Sequence, residues 1–230
     1  MKLSGTYRHE LKYQITAADY HALRRRLAPL MKRDAHAGGD GRYTVRSIYF
    51  DNLDDKALRE KIDGVQKREK FRIRYYNRDL TFITLEKKVK YNSLCMKLDA
   101  PLSGNECRAL VSGQTEWMKF HPSGLVRELY CKMQYQQLRP RVVVSYLREP
   151  YVYTPGNVRV TFDSQIRTSL FSREFTFGSA CDICATDSPG DMVLEIKYDA
   201  FLPENIFCLL QTEGIRRQAF SKYGVCRRFG

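Results

Sequence analysis

The chain has 230 residues, and its 39 Lys and Arg against 26 Asp and Glu give a formal net charge of +13. Hydrophobic residues make up 43% of it, with 12 Phe and 15 Tyr, enough to bury a sizeable core and exclude intrinsic disorder. The basic excess calls for a polyanionic partner: nucleic acid, an acidic membrane surface or phosphates.

No signal-peptide h-region and no apolar run of about 18 residues occurs, so no transmembrane segment and a soluble, cytoplasmic protein are expected. Seven cysteines show no framework spacing. Cys181-Asp-Ile-Cys184 is the only CxxC, and no second pair or nearby His completes a zinc site, so reduced thiols are expected.

In chain order, residues 5–15 read as a strand with Tyr7, His9, Leu11, Tyr13 and Ile15 on one face and Arg8, Glu10 and Lys12 on the other. Thr16 is an N-cap for a helix over about 17–32, with Asp19 as the capping-box acid and Pro29 set to kink or shorten it. A glycine-rich loop at 37–41 precedes a strand from Tyr43 to Phe50. Asp51 or Asn52 then caps a short helix to about Lys61, which Gly64 ends.

The next stretch is a hairpin. Two runs rich in aromatic and β-branched residues, 70–76 and 80–90, flank the turn Asn77-Arg78-Asp79. Lys70, Arg72 and Arg74 fall on one face of the first strand, and Glu86, Lys88 and Lys90 on one face of the second. Phe71, Ile73, Tyr75, Leu85 and Val89 face the other way. Cations stacked on neighbouring strands repel unless something anionic lies between them.

A turn at 91–93 leads to a short strand, 94–98, carrying Lys97. A polar stretch follows with a short helix near 105–111. Residues 116–137 are mostly helical, interrupted around Pro122-Ser-Gly124, and read as a core-packing insert. The second half returns to strands. Val142, Val144, Tyr146 and Arg148 share a face, Pro155-Gly156 turns the chain, and Arg159, Thr161 and Asp163 share the next. A loop-rich span at 172–190 precedes the strand 192–198, which sets Glu195 beside Lys197. Residues 203–211 and 213–220 read as helical, and 221–224 ends the ordered chain. A Glu and a Lys recur two apart at Glu10/Lys12, Glu86/Lys88 and Glu195/Lys197, a weak echo of two related halves.

On an ordinary half-exposed sheet these charged faces would meet solvent. As a set, however, they are mostly Arg and Lys, and the opposite faces are strongly apolar and need covering by the helices. A closed barrel with helices outside and charge inside satisfies both. A basic lumen suits a flexible polyphosphate, with Arg giving forked hydrogen bonds and Lys point charge. A Glu among these cations can hold Mg²⁺ or Mn²⁺ by hard oxygen ligation, or can neutralise its lysine neighbours; Glu10 and Glu86 stay open between the two. Nucleic acid is disfavoured because the charge alternates along strands and does not line one helix.

Eight short motifs, in order from residue 7 to 223, resemble the VTC domain, the polyphosphate polymerase module of the vacuolar transporter chaperone complex within the triphosphate tunnel metalloenzymes. They are Arg8-His-Glu-Leu-Lys-Tyr13, Val45-Arg-Ser-Ile-Tyr-Phe-Asp51, Lys70-Phe-Arg-Ile-Arg74, Leu85-Glu-Lys-Lys88, Tyr146-Leu-Arg148, Val158-Arg-Val-Thr-Phe-Asp163, Leu194-Glu-Ile-Lys-Tyr-Asp199 and Ser221-Lys-Tyr223. The resemblance implies an α+β fold, an eight-stranded antiparallel tunnel barrel with helices packed outside, as a single domain over 1–230 with a helical insert at about 103–138. It implies ATP-dependent polyphosphate synthesis with Mn²⁺ or Mg²⁺, the γ-phosphoryl passing to a growing chain; the alternatives are a tunnel triphosphatase acting on triphosphate or nucleoside triphosphates, or a non-catalytic polyphosphate-binding module.

Carried over by position, Lys12, Arg72, Arg74, Lys88, Arg148, Arg159 and Lys197 would act on the transferred phosphate. Arg46, Lys90, Lys97, Tyr146, Ser221 and Lys222 would bind substrate, and Glu195 would ligate the metal, with Glu10 and Glu86 as further candidates. Alternation leaves the direction of Arg46 open. Hydrolytic relatives open with Glu-x-Glu-x-Lys, whereas Arg8 stands at the first Glu position here, a departure that fits the VTC branch. The chain resembles a stand-alone, bacterial-type version, with ATP and inorganic polyphosphate or pyrophosphate as partners and a separate membrane partner possible for the product.

Overall fold

A computed structural model describes residues 6–77, 79–169, 183–186, 190–212, 217 and 219–227. β1 (Arg8–Ile15) leads into α1 (Ala17–Leu27), then β2 (Lys32–Arg33), β3 (Tyr43–Asp51) and α2 (Lys56–Ile62). The hairpin β4 (Lys67–Tyr76) and β5 (Asp79–Tyr91) continues into β6 (Leu94–Leu102). α3 (Gly104–Val111), a 3₁₀ turn (Glu116–Phe120) and α4 (Gly124–Tyr135) follow. β7 (Arg139–Tyr153) and β8 (Val158–Thr168), β9 (Ile183–Cys184), β10 (Met192–Tyr198), α5 (Glu204–Leu209) and α6 (Lys222–Cys226) complete the described elements.

The strands pair in the order β7-β3-β4-β5-β6-β1-β10-β8, and β8 returns to β7, so these eight antiparallel strands close into a ring. The two-residue strands β2 and β9 flank it on β7 and β8. Closure removes the open edges that an eight-stranded sheet would otherwise present. It also sorts every strand into an inner and an outer face by its period of two.

The outer face is apolar and covered. Ile48, Phe71, Ile73 and Leu85 pack beneath Leu110, Met118, Leu129 and Met133 of the insert. Lys87, on the outer face of β5, ties the insert down through Glu69 at 2.9 Å and through Glu128 of α4. On the other side of the ring Tyr20, Leu23 and Leu27 of α1 cover Val160, Phe162, Leu194 and Ile196.

Local chemistry sets the element ends. Thr16 and Asp19 form the expected capping box, and α1 stops at Leu27, just before Pro29. α2 is capped from a distance: Asp55 sits in the left-handed region at φ 52°, while Asp51 accepts from the Ala57 and Leu58 amides and Asn52 from that of Lys56. β6 and β8 run further than their alternation indicates, because ladder pairing extends to Pro101, opposite Thr84, and to Arg167, opposite Ser145. The helical expectation for 213–220 fails at Arg217, which bridges to Tyr13 in antiparallel fashion; residues 213–216 and 218 lie outside the described residues. The chain also stays ordered past Gly224, as α6 packs Tyr223 and Cys226 against the inner-facing Tyr49, Val142, Val144 and Tyr146. Cys181 of the CxxC lies outside the described residues.

Candidate functional site

The ladder register decides which charges share the interior. Across β4, β5 and β6, Arg72 stands opposite Glu86, and Lys70 opposite Lys88, which is itself opposite Lys97. Across β1 and β10, Lys12 opposes Glu195 and Glu10 opposes Lys197. Lys197 in turn opposes Arg159 on β8, and Arg148 opposes Asp163 across β7 and β8. Strands from both halves of the sequence thus supply one charged lumen.

Two ion-pair systems organise it. In the first, Glu86 is almost wholly buried; Arg72 Nη2 lies 2.6 Å from its Oε2 and Lys97 Nζ 3.3 Å from its Oε1. Arg72 also donates to the Tyr49 hydroxyl at 2.9 Å. Arg74 donates to Ser47 Oγ at 3.2 Å and to the Tyr146 hydroxyl at 3.3 Å. Burial acts to raise the Glu86 carboxyl, but Arg72, Arg74 and Lys97 outweigh it and hold the group well below the ordinary carboxylate range. Burial likewise acts to raise the Tyr49 phenol, but Arg72, Arg74 and Lys222 bring it below its usual value.

The second system is a chain of alternating charge from β8 to β5. Arg148 holds Asp163 by two 2.7 Å hydrogen bonds, and Lys222 of α6 reaches the same carboxylate at 2.5 Å. Lys222 lies 3.9 Å from Glu195, which Lys197 approaches at 2.7 Å and Lys12 at 3.5 Å. Lys12 reaches Glu10 at 2.9 Å, and Lys88 closes on Glu10 at 2.6 Å. Burial raises Glu10 and Glu195, yet their lysine neighbours leave both well below the ordinary range, so both are anions at neutral pH.

Most of the residues singled out from sequence meet here: Lys12, Arg72, Arg74, Lys88, Lys97, Tyr146, Arg148, Glu195, Lys197 and Lys222. Lys90 lies on the same inner face beside Arg68, and Arg159 contacts the Tyr43 hydroxyl at 2.9 Å and Asp34 at 2.7 Å. Ser221 is the N-cap of α6, its Oγ accepting from the Gly224 amide at 3.2 Å, which leaves its hydroxyl proton to donate to a ligand.

Arg46 is a correction. Ser47 and Tyr49 point inward, opposite Arg74 and Arg72, so alternation turns Arg46 to the outer face between Tyr75 and Ser145, where it is buried. Motif position alone did not carry its direction. Lys70 and Asp163 are inner-face residues that the motifs did not single out as functional; their spacing of two from Arg72 and Thr161 was the available signal.

Among the described residues no three His, Cys, Asp or Glu side chains gather into a metal cage. Glu10 and Glu195 come nearest to a hard-oxygen pair, sharing Lys12 between them. One or two carboxylates, completed by substrate oxygens and water, suit Mg²⁺ or Mn²⁺, so the donors fit a site shared with a bound phosphate. Asp163 fits less well, because Arg148 holds both of its oxygens and Lys222 one of them, and Glu86 carries the Arg72 fork on Oε2 and Lys97 on Oε1.

The sequence pattern of the VTC domain matches residues 7–229. No curated protein matches the chain. Among solved structures, a candidate adenylyl cyclase from Hippeastrum, described as revealing a dominant triphosphatase activity, is similar with a TM-score of 0.55 and 13% identity, over 96% of this chain and 94% of that one. A candidate adenylate cyclase from Bacillus halodurans is similar with a TM-score of 0.47 and 15% identity, over 83% and 81%. A Pyrococcus horikoshii protein gives 0.45 and 13%, over 92% and 94%. At 13% identity the likeness to the Hippeastrum protein is one of fold alone.

Proposed function

The chain belongs to the VTC domain family, and from that membership we propose that it is a polyphosphate polymerase, transferring the γ-phosphoryl group of ATP to a growing inorganic polyphosphate chain inside the ring. The observation that supports this most is the closed lumen itself, in which forked Arg72, Arg74 and Arg148 and the lysines Lys12, Lys88 and Lys197 converge from strands on opposite sides. Phosphoryl transfer needs little covalent help; it needs the reacting phosphates held in line and their developing charge neutralised.

Arg72 and Arg74 are fixed by Glu86, Tyr49, Ser47 and Tyr146, so their outer N–H groups are oriented before substrate arrives. Lys12, Lys88 and Lys197 stand around Glu10 and Glu195 and neutralise the phosphate oxygens that enter between them. Glu195, with Glu10, would hold Mg²⁺ or Mn²⁺, which supplies Lewis-acid polarisation of the transferred phosphoryl group. Lys97, Lys90, Arg159 and Lys222 extend the basic path on either side. Pyrophosphate or short polyphosphate serves as primer in this reading. No helix among the described residues is long and apolar enough to cross a membrane.

The arrangement of Arg8 favours chain growth over two-metal hydrolysis. At the position where hydrolytic tunnel enzymes carry a first Glu, Arg8 pairs with Asp199 at 2.7 Å and donates to the Asn157 carbonyl, adding no carboxylate to Glu10 and Glu195. The test is incubation of purified protein with ATP and Mn²⁺ or Mg²⁺, with and without pyrophosphate. Polymer on a gel together with ADP is the expected result. Orthophosphate release without polymer would make the chain a tunnel triphosphatase, and tight polyphosphate binding with no turnover would make it a binding module.

A further inference from the structure

The cations of the lumen are unequally balanced. Arg72, Lys88, Arg148, Lys197 and Lys222 each have a carboxylate in reach, but Lys70, one step along β4 from Arg72, has none among the described residues. Its Nζ lies 4.8 Å from the centre of the Tyr223 ring, whose hydroxyl donates to Asp51 at 2.5 Å. It stands directly opposite Lys88 in the β4–β5 ladder, with Lys97 next in the same row, and the following row is again cationic, Arg68 opposite Lys90. Directly opposed side chains on neighbouring strands start about 5 Å apart at Cβ, so two ammonium groups there repel. An anionic oxygen between them turns that repulsion into two attractions.

Resting on the reading of the lumen as a phosphate path, we propose that Lys70 and Lys88 form a further phosphate subsite, and that phosphate binds there together with a proton taken up by Lys70. The groups that face Lys70 explain the proton. Burial comes first, followed by Arg68 on its own strand and Lys88 on β5; Asp51 on β3 opposes them, Lys12 on β1 adds a smaller push in the same direction as the other cations, and Tyr223 on α6 offers a ring face and no negative charge. Together these bring the Lys70 ammonium down to about 7. A phosphate oxygen entering beside Lys88 supplies the missing counter-charge and restores the ammonium form. Chain binding and proton uptake are then linked through one side chain.

The test is calorimetric titration of the full chain with tripolyphosphate at pH 8 in two buffers of different ionisation enthalpy, for the natural protein, Lys70→Met and Lys70→Arg. Lys70→Met is expected to bind at least tenfold more weakly. Lys70→Arg, a cation that does not titrate in this range, is expected to bind within a few-fold of the natural protein while taking up about one proton fewer. Comparison between proteins cancels the protons carried by tripolyphosphate itself. Unchanged affinity in Lys70→Met, or the same proton count in Lys70→Arg, overturns the subsite. If Lys70→Met fails to fold, the proton count of Lys70→Arg decides alone. If the natural protein does not bind tripolyphosphate at all, the phosphate-path reading falls with it, a result distinct from loss confined to the Lys70 variants.

Discussion

Arg148 on β7 and Asp163 on β8 meet through two parallel hydrogen bonds of 2.7 Å at the junction where the last strand pairing closes the ring. The pair is buried, and Lys222 of α6 joins the same carboxylate. Closure of the ladder, the orientation of Arg148 and the seat of α6 therefore share one carboxylate.

Asp163→Asn tests that sharing. It leaves the Arg148 guanidinium with one acceptor in place of a charged pair and strips Lys222 of its nearest anion. Breaking a buried pair from one side typically destabilises by about 3–5 kcal/mol, so the unfolding free energy from urea titration is expected to fall by an amount in that range, with the midpoint falling accordingly. A midpoint within error of the natural protein would mean that closure does not depend on this contact.

Arg72→Lys asks what the fork contributes. Arg72 binds Glu86 through Nε and Nη2 and Tyr49 through Nη1, and an ammonium cannot hold that geometry while also facing a phosphate. Loss of charged hydrogen bonds of this kind amounts to about 1.5–3 kcal/mol each, so pyrophosphate affinity should drop by roughly tenfold to a hundredfold at constant ionic strength. Isothermal titration measures it directly.

Arg46→Met separates motif from geometry. Because Arg46 points away from the lumen and is buried on the outer face, the expected change is a lower melting temperature with pyrophosphate affinity held within about twofold. A large loss of affinity with unaltered melting would return Arg46 to the phosphate path.

Acid should open the ring. Glu10, Glu86, Asp163 and Glu195 all titrate below their ordinary range in the folded chain, each against burial, through lysine and arginine partners. In the unfolded chain they return to about 4, so between that value and the folded one the unfolded state binds more protons. Their stabilisation is complete above about pH 5 and is lost progressively as pH falls further. Urea midpoints from pH 7 down to pH 3 should show this fall, and Glu86→Gln should make it shallower. A midpoint independent of pH over that window would contradict the ion-pair assignment.

Much of this was legible before any tertiary structure. The period-two alternation of 70–76 and 80–90 set Lys70, Arg72, Arg74, Glu86 and Lys88 on one face and Phe71, Ile73 and Leu85 on the other, and the ring confirms both. The Thr16 capping box, the Asn77 turn with φ 48° and the Gly156 turn with φ 70° were equally local, since each depends on residues only a few positions apart. Alternation fixes which side chains share a face, and capping fixes where a helix begins, whatever the rest of the chain does.

The partners of those charges were another matter. That Lys12 serves both Glu10 and Glu195, that Asp163 binds Lys222, and that Arg46 turns outward follow from ladder register and from the docking of α6 against Tyr49 and Tyr146. Register and docking are set by contacts between segments far apart in sequence, and the energy of an ion pair depends on distance and burial that no single segment determines. Local alternation places the charges together on strand faces; closure of the ring sets which of them are neutralised, as Lys88 is by Glu10, and which, like Lys70, still face another cation.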